Sequence, residues 1–387
     1  MTSSKPLIRK LVKLFLRVVF GIYYRSIQVK DLNNFPQEGP VLLVANHPNS
    51  LVDPAILIHL LPRPVHFGAR HGLFAGSLGY ILEAFGAIPL YRLQDAPRAK
   101  RQNLAAIDRY VELIRDGSVA AIFPEGLSRD DPRIEPIKSG AARIALKAEG
   151  KADFTLDLKI VPVGLQFEPR RMFRADAFVR FGMPITVKDL ANLHEEAPRK
   201  AITELCDRID RALKQLAFHV ESSESVKFIE RLAAVYLRRV RVTGLSGVSQ
   251  TGLRGELLYR MAASLNHYSE VDPWAVSDIE QALEHYEQLR KEASARRRLL
   301  EDPPRLLPGP LAIVQACFEA FLGAVPALFG LLTNGIPYFV TRGAARHVIG
   351  RYKHPSSFSI THILVGALVF PLSYGLELAW VWRNFSD

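Results

Sequence analysis

Between Pro40 and Ile185 the sequence alternates short runs of β-branched and apolar residues with segments of helical period. Six runs have the length, apolarity and flanking turn residues of strands, namely VLLVA, VHFGA, GAIPLY, VAAIF, IVPVGL and FVRFG. Intervening segments such as Pro97–Arg115 and Ser139–Glu149 have the apolar spacing of helices. This alternation predicts a layered α/β domain with a mostly parallel sheet, whose strand ends are available for chemistry.

The pattern changes on both sides of this region. We interpret residues 1–26 as an amphipathic, membrane-associating helix, 27–190 as the α/β domain, 191–305 as a helical region and 306–387 as a hydrophobic pair of helices. The helical region is rich in charge, as in SDIEQALEHYEQLRKEASARRRLLE, which is typical of a mostly solvated face.

Composition limits the partners of the chain. Its 387 residues carry a net charge of +11, which favours an anionic partner such as nucleic acid, a phosphorylated small molecule or membrane headgroups. No platform of basic and aromatic residues is present, and nucleic acid would leave the apolar C-terminal region unexplained. Cys206 and Cys317 lack the spacing of a disulfide framework or a zinc site, so we expect no metal and a reducing compartment.

The first 26 residues combine apolar and basic side chains at helical spacing. The apolar positions are Leu7, Ile8, Leu11, Leu14, Phe15, Val18 and Val19, and the basic ones, mostly between them, are Arg9, Lys10, Lys13 and Arg17. An interfacial membrane helix is favoured because Tyr23 and Tyr24 follow, and amphipathic rings suit the headgroup level. A surface helix packed on the domain is the alternative, and the two interpretations are compatible if they use different faces.

Two longer apolar stretches, Pro310–Leu332 and Thr361–Trp382, each approach the ~20 residues that cross a bilayer. Each contains one glutamate and one internal proline, which are Glu319, Pro326, Glu377 and Pro371. The segment TRGAARHVIGRYKHP, predicted as the connecting loop, is basic, and so is the segment before the first stretch. Positive charge on both sides fits a re-entrant hairpin, or a pair within one leaflet, better than a simple crossing. Two buried helices of a soluble core are the alternative.

The segment NHPNSLVDP follows the first apolar run and contains His47 and Asp53. Residues six apart on a continuous helix lie about 240° from each other, so the two side chains would not meet there. Pro48 disfavours helical geometry at His47. We therefore predict that a turn through Pro48, Asn49 and Ser50 brings the histidine and the aspartate together.

Polar residues mark further strand ends. GAIPLYR ends in Arg92, IFPEGLSRDDP carries Glu125 and Arg129, and IVPVGL has a Pro-Gly break. In this order and spacing, the four signals resemble the four motifs of the glycerolipid acyltransferases, the family of glycerol-3-phosphate and lysophosphatidic acid acyltransferases. The resemblance extends over roughly Ile27–Ile185 and implies a layered α/β acyltransferase domain.

Two details make the chain most similar to the fungal-type glycerol-3-phosphate and dihydroxyacetone phosphate acyltransferases. Five residues separate His47 from Asp53, where the usual motif has four, and FPEG is followed by serine and acidic residues and then by Lys138-Ser139-Gly140. In the common form of the family an arginine stands two residues after the glycine of FPEG. Ser128 occupies that place here.

The resemblance implies transfer of a fatty acyl group from acyl-CoA or acyl carrier protein to glycerol-3-phosphate or a lysophospholipid such as lysophosphatidate. Imidazole has an unperturbed pKa near ~6.5, which suits removal of a proton from an attacking hydroxyl, so His47 is the expected base. Asp53 is expected to fix its tautomer. No G-x-S-x-G motif is present, which favours direct transfer, with no cofactor beyond the acyl donor.

The remaining candidate residues are expected to bind substrate. Arg92, Arg129 and Lys138 are expected to bind the acceptor phosphate through charge-assisted hydrogen bonds. Glu125 is expected to accept a hydrogen bond from an acceptor hydroxyl. Gly126 and Ser128 complete this set, whereas His59, His66 and His71 have no partner motif and are interpreted as structural. The acyltransferase is expected at an anionic membrane, with its catalytic domain on the cytoplasmic face. The alternatives are a phospholipid transacylase that does not use CoA and a catalytically silent lipid-binding scaffold.

Overall fold

The computed structural model describes residues 6–74, 76–91, 99–128, 133–168, 172–220, 222–242, 250–300, 310–352 and 358–385. The strands are β1 (Tyr24–Lys30), β2 (Val41–Ala45), β3 (Val65–Arg70), β4 (Ile88–Leu90), β5 (Val119–Ile122), β6 (Lys159–Glu168) and β7 (Ala175–Phe181). The helices are α1 (Pro6–Tyr23), α2 (Val52–Leu60), α3 (Gly76–Ala84), α4 (Ala99–Arg115), α5 (Gly140–Gly150), α6 (Ala191–Glu196), α7 (Pro198–Leu216), α8 (Ser223–Val242), α9 (Gln250–Val271), α10 (Pro273–Leu300), α11 (Pro310–Tyr352) and α12 (Phe358–Phe385).

The strands of the described residues form one sheet in the order β1-β7-β6-β2-β5-β3-β4. Among these strands every neighbouring pair is parallel except β6 with β7. The α/β class and the mostly parallel sheet predicted from the sequence are therefore confirmed. Each of the six strand-like runs contains or overlaps a strand.

The centre of the sheet is buried on both faces. All five residues of β2 are buried, as expected for a central strand of a parallel sheet covered by helices. Leu42 and Val44 belong to a core to which α4, α5 and α7 contribute Tyr110, Ile144 and Leu205, among others. This packing holds the carboxyl end of β2 in a fixed place, and the motif that contains His47 begins there.

Strand β1 was not predicted. Its sequence, YRSIQVK, is polar and continues the basic N-terminal helix, so it lacks the apolar run of a buried strand. Its backbone pairs with the distant β7, and Arg25 and Ser26 both bind the buried carboxylate of Asp176 on that strand. Such a long-range ion pair leaves no local pattern in the sequence.

The described residues fall into two compact units. The first consists of residues 1–264 and 355–360, and the second of 265–354 and 361–387. The region 191–305 is helical where it is described, and within it Leu205, Ile209 and Leu213 of α7 are buried in the core of the first unit. The domain boundaries drawn from the sequence stay predictions.

Helix α1 packs on the domain through Leu16, Phe20 and Tyr23. The Arg9 guanidinium donates to the carbonyl of Ala84 at the end of α3 (3.2 Å), and the Lys13 ammonium donates to that of Leu61 at the end of α2 (2.8 Å). Both contacts satisfy helix C-terminal carbonyls, where positive charge is favourable. Two of the four predicted basic residues therefore lie against the protein, on the same side as the packing residues.

The two apolar stretches near the C-terminus lie in the long helices α11 and α12. Their segments Cys317–His347 and Ser359–Asn384 are long and apolar enough to cross a membrane, and only 6% of the most apolar window in each is buried. The alternative of buried core helices does not agree with this exposure. The segment predicted as a basic connecting loop is helical up to Tyr352, so that prediction was wrong for residues 341–352. Pro326 and Pro337 lie inside α11 without ending it.

A charged cluster joins α9 to the sheet within the first unit. Arg180 of β7 is buried, donates to Glu256 (3.0 Å) and lies 3.9 Å from the centre of the Tyr259 ring. Lys30 contacts the same carboxylate at 2.8 Å, and Arg260 contacts its other oxygen at 2.8 Å. Burial acts to raise the pKa of Glu256, but the hydrogen bonds from these cations outweigh burial and lower it to about 2.

Glu256→Gln should therefore reduce stability in a pH-dependent way. A carboxyl whose folded pKa is depressed contributes stability above its ordinary pKa of 4.5, and this is lost as the pH falls towards 2. We expect the variant to melt at a lower temperature at pH 7, and its melting temperature to fall less on acidification, measured by circular dichroism in detergent. Glu204→Gln is the control, because its bond to Arg208 joins residues one turn apart on the surface of α7. Parallel acid profiles for wild type and Glu256→Gln would contradict the assignment.

Candidate active site

Two loops meet at the carboxyl edge of the sheet. β2 and β5 are parallel neighbours, with Val44 opposite Ile122, so the residues that follow each strand are adjacent. We call residues 46–51, after β2, the first loop, and residues 123–128, after β5, the second loop. Their contacts define the candidate site.

Asn46 anchors the start of the first loop. Its side-chain amide donates to the carbonyl of Leu165 (2.9 Å) and accepts from the N–H of the same residue (2.7 Å), which ties the end of β2 to β6. Asn46 is buried, so both bonds are shielded from water. Asn46 was not among the residues predicted from the sequence, although an amide directly after a buried strand was the available signal.

His47 and Asp53 are in contact, as predicted. Nδ1 of His47 lies 2.8 Å from Oδ2 of Asp53, and the N–H of Asn49 donates to that same oxygen (2.7 Å). An ionised carboxylate only accepts, so opposite an ionised Asp53 the histidine donates from Nδ1, and Nε2 is the ring nitrogen away from the aspartate. The Asp53 side chain is fully buried, whereas 19% of the His47 side chain is exposed, so the imidazole is reachable from solvent and the carboxylate is not.

The turn between them contains a left-handed residue. Ser50 has a φ of +48°, and α2 begins at Val52, so Asp53 lies in the first turn of that helix. The N–H groups of Val52 and Asp53 donate to the carbonyls of Asn49 and Ser50. The prediction that a turn through residues 48–50 joins the pair is confirmed.

Burial governs the charge of the aspartate. Burial raises the pKa of Asp53. The hydrogen bond from His47, the electrostatic interaction with His47 and the hydrogen bond from the Asn49 N–H oppose that effect only in part. Oδ1 of Asp53 is buried and has no hydrogen-bond partner among the described residues. An ionised Asp53 is therefore held at a cost in folding stability.

Phe123 covers the imidazole. Its ring stacks on His47 with the centroids 4.2 Å apart and the planes inclined by 21°. Together with the bond to Asp53, this stacking fixes the orientation of the imidazole. Phe123 was not selected from the sequence, although an aromatic residue directly before Pro-Glu-Gly is a visible signal.

Glu125 braces the two loops. Its Oε1 accepts from the backbone N–H of His47 (2.8 Å) and its Oε2 from that of Glu135 (3.1 Å). The side chain is buried, and burial raises the pKa of Glu125, with the two backbone hydrogen bonds opposing it. Each oxygen of Glu125 thus already accepts one backbone N–H. The predicted contact between Glu125 and an acceptor hydroxyl stays a prediction.

The rest of the second loop forms a tight turn beside Lys138. Gly126 has a φ of +68°, which glycine adopts without strain, and the Lys138 side chain lies directly against it. The Lys138 N–H donates to the carbonyl of Pro124 (2.9 Å), and its side chain is exposed. Ser128 lies at the end of the loop, where its Oγ accepts from the N–H of Ser50 (2.8 Å).

Arg92 and Arg129, the two predicted arginines, lie outside the described residues. The residue before Arg92 is fixed, because the amide side chain of Asn103 bonds both the N–H and the carbonyl of Tyr91 (2.9 and 2.7 Å). In the sheet β5 and β3 separate β4 from β2, which places the ends of β2 and β4 about 14 Å apart at ~4.8 Å per strand.

The three histidines interpreted as structural make contacts away from the His47–Asp53 pair. His66 lies 3.2 Å from the carbonyl of Gly86, His59 packs edge-on against Phe20, and His71 stacks on Tyr91.

Residues 26–166 match the family model described as Acyltransferase. They form an acyltransferase domain. The matched region contains both loops of the candidate site, and its sheet has the mostly parallel order described above. The family suspected from the four motifs is confirmed for this part of the chain.

Curated relatives of the chain include proteins named as glycerol-3-phosphate and 1-acyl-sn-glycerol-3-phosphate acyltransferases. Glycerol-3-phosphate O-acyltransferases 2 and 1 of Saccharomyces cerevisiae are 23% and 24% identical to the chain, over 58% and 61% of its length. The matches cover 44% and 43% of those two proteins, so the chain spans less than half of their length. A probable 1-acyl-sn-glycerol-3-phosphate acyltransferase of Mycoplasma pneumoniae is 31% identical over 35% of the chain and 51% of its own length.

Among solved structures, the crystal structure of the 1-acyl-sn-glycerophosphate acyltransferase PlsC from Thermotoga maritima aligns with a TM-score of 0.39 and 22% identity. The alignment covers 52% of this chain and 77% of that one.

Asp53→Asn should leave the folded protein at least as stable as the wild type at pH 7. A carboxyl whose folded pKa is raised favours folding only while it is protonated, so its contribution is lost as the pH rises from its ordinary value of 3.8 through the raised value. The asparagine side chain does not ionise. The difference in melting temperature between variant and wild type should therefore grow in favour of the variant over that interval.

The control is Asp176→Asn, a second fully buried aspartate whose partners Arg25 and Ser26 would lose a charged acceptor. We expect it to lower the melting temperature. An Asp53→Asn protein that melts several degrees below the wild type at pH 7 would show that the buried carboxylate stabilises the fold.

Proposed function

We propose that the protein is a membrane-associated glycerolipid acyltransferase of phospholipid biosynthesis. It transfers a fatty acyl group from acyl-CoA or acyl carrier protein to glycerol-3-phosphate or to a lysophospholipid such as lysophosphatidate. The observation that carries the proposal is the 2.8 Å hydrogen bond between His47 Nδ1 and the buried Asp53, at the edge of an acyltransferase domain. The activities named for the yeast and bacterial relatives support the choice of acceptors.

In the proposed reaction, Nε2 of His47 removes the proton of the acceptor hydroxyl as its oxygen attacks the thioester carbonyl. The new ester C–O bond forms, the C–S bond breaks, and the imidazolium returns the proton to the departing thiolate. Asp53 holds the Nδ1–H tautomer and stabilises the imidazolium, because it lies on the side of the ring opposite the reacting nitrogen. The substrate hydroxyl is itself the nucleophile, so no acyl-enzyme is formed.

The phosphate of the acceptor would be held by cations near the two loops. Lys138 supports this assignment, because its side chain is exposed and lies against Gly126 of the second loop. Arg92 and Arg129 are proposed as further phosphate ligands, since arginine makes paired charged contacts with phosphate oxygens.

Helix α1 supports attachment to a membrane by an apolar face. Large apolar side chains form an exposed stripe along the side opposite Arg9 and Lys13; they are Leu7, Leu11, Leu14, Val18 and Ile22, each more than half exposed. With Arg9 and Lys13 bound to backbone carbonyls, the outer face would insert by burial of apolar area. The exposed α11 and α12 support a second attachment. We propose that the catalytic domain lies on the cytoplasmic face, where the anionic leaflet suits a chain of net charge +11.

His47→Ala should abolish acyl transfer without unfolding the protein, because His47 lies on a loop and part of its side chain is exposed. Purified protein in detergent would be incubated with labelled acyl donors and with acceptors that carry or lack phosphate, and the products identified by lipid mass spectrometry. His285→Ala, an exposed histidine on α10, is the matched control and should keep full activity.

Near wild-type turnover by His47→Ala with every acceptor would remove His47 as the base. Labelled product formed from phospholipid without CoA would favour the transacylase. A wild-type protein that is inert across the panel yet binds liposomes tightly would favour the silent scaffold.

A fluorophore at position 14 of α1 should enter the hydrocarbon, and one at position 9 should not. NBD would be attached to Leu14→Cys or Arg9→Cys in a protein with Cys206 and Cys317 replaced by serine, and its emission compared with and without liposomes. We expect a blue shift for position 14, quenched by lipids brominated in the acyl chain and persistent in high salt, because apolar contact is not screened. Equal emission at the two positions would mean that the stripe does not face lipid.

A further inference from the structure

Three backbone N–H groups of the first loop donate to side chains of the site. The N–H of His47 goes to Glu125, that of Asn49 to Asp53, and that of Ser50 to Ser128, while Pro48 has none. A donor in a partly buried loop needs an acceptor, so each of these bonds restricts the path of the chain. Glu125 and Ser128 therefore hold the two ends of the same turn from the second loop.

The backbone of this turn is strained at Ser50. Ser50 adopts a φ of +48°, in the left-handed region that residues with a Cβ occupy only when the surroundings over-determine it. Its carbonyl accepts from the Asp53 N–H (3.2 Å), so the conformation of Ser50 sets where α2 begins and where Asp53 points. A relaxation of Ser50 would carry Asp53 away from His47.

Ser128 supplies the bond that opposes this relaxation. Its Oγ lies 2.8 Å from the Ser50 nitrogen, although the two residues are 78 positions apart in the chain. A hydroxyl is suited to the task because it is short and has lone pairs to offer, whereas an arginine side chain has only donors. Ser128 was predicted from the sequence to bind substrate, whereas its contact with Ser50 indicates a different role.

We propose that Ser128 is a positioning residue for the proposed acyl transfer: by accepting the Ser50 N–H, it holds the left-handed turn that presents Asp53 to His47. The inference rests on the proposed function for its kinetic consequence. The positioning of Asp53 by Ser128 can be observed in the protein without substrate, so the positioning role and the proposed function can be tested separately.

The kinetic test uses Ser128→Ala, Ser128→Thr and the control Ser118→Ala. We expect Ser128→Ala to lower kcat about five- to twentyfold, the value of one hydrogen bond, with the KM of donor and acceptor almost unchanged. Ser128→Thr keeps the hydroxyl and should restore most of the rate. Ser118 precedes β5 at the opposite edge of the sheet, so its replacement should have no effect. A rise in acceptor KM at constant kcat would overturn the proposal and return Ser128 to the substrate ligands.

A second variant keeps the test decisive if Ser128→Ala is poorly folded. Glycine adopts positive φ without strain. In Ser50→Gly the left-handed turn should therefore depend less on the hydrogen bond that Ser128 accepts. The double variant Ser50→Gly, Ser128→Ala should therefore turn over faster than Ser128→Ala alone. A double variant as slow as, or slower than, the single one would contradict the role assigned to Ser50.

The readout without substrate is the tautomer of His47, observed by NMR in protein labelled with ¹⁵N-histidine and assigned with His47→Ala. The wild type should show a single Nδ1–H tautomer, and Ser128→Ala a mixture, with recovery in Ser128→Thr. An unchanged His47 spectrum in Ser128→Ala would overturn the proposal even if activity fell. A wild-type protein without acyl transfer but with this spectral response would instead refute the proposed function and leave the positioning role supported.

Discussion

The parallel pairing of β2 with β5 is the interaction on which the candidate site depends. It sets Val44 beside Ile122, so segments nearly 80 residues apart in the chain leave the sheet side by side. Each bond between the two loops, from His47 to Glu125 and from Ser50 to Ser128, needs that register. Slipping one strand by a single residue would turn its side chains to the opposite face of the sheet and separate the loops.

Much of this arrangement was readable from the sequence, because local chemistry dictated it. Apolar runs indicated six strands, and Pro48 between two polar residues indicated a turn, which the His47–Asp53 contact confirms. The failures share a cause, which is that long-range contacts leave no local pattern. Strand β1 pairs with β7 and contacts Asp176, about 150 residues away, and the bracing role of Glu125 depends on backbone donors at positions 47 and 135.

Helix α1 shows why periodicity alone assigns the faces of a helix incompletely. The pattern correctly gave an amphipathic helix, but a basic side chain on such a helix has two uses, towards solvent or towards the carbonyl end of another helix. Arg9 and Lys13 take the second, at the ends of α3 and α2, and the apolar residues then occupy both the packed and the open sides. A helix attached in this way is bound to the protein by hydrogen bonds from its basic side chains, and its exposed apolar side chains can contact lipid.

The bond from Ser50 to Ser128 links two sequence differences that look independent. One is the additional residue between His47 and Asp53; the other is a serine where the common form of the family has an arginine. The turn between His47 and Asp53 places the Ser50 N–H against the Ser128 hydroxyl, whereas an arginine side chain offers no acceptor. An arginine at position 128 would therefore leave the Ser50 N–H without this acceptor, three residues from His47.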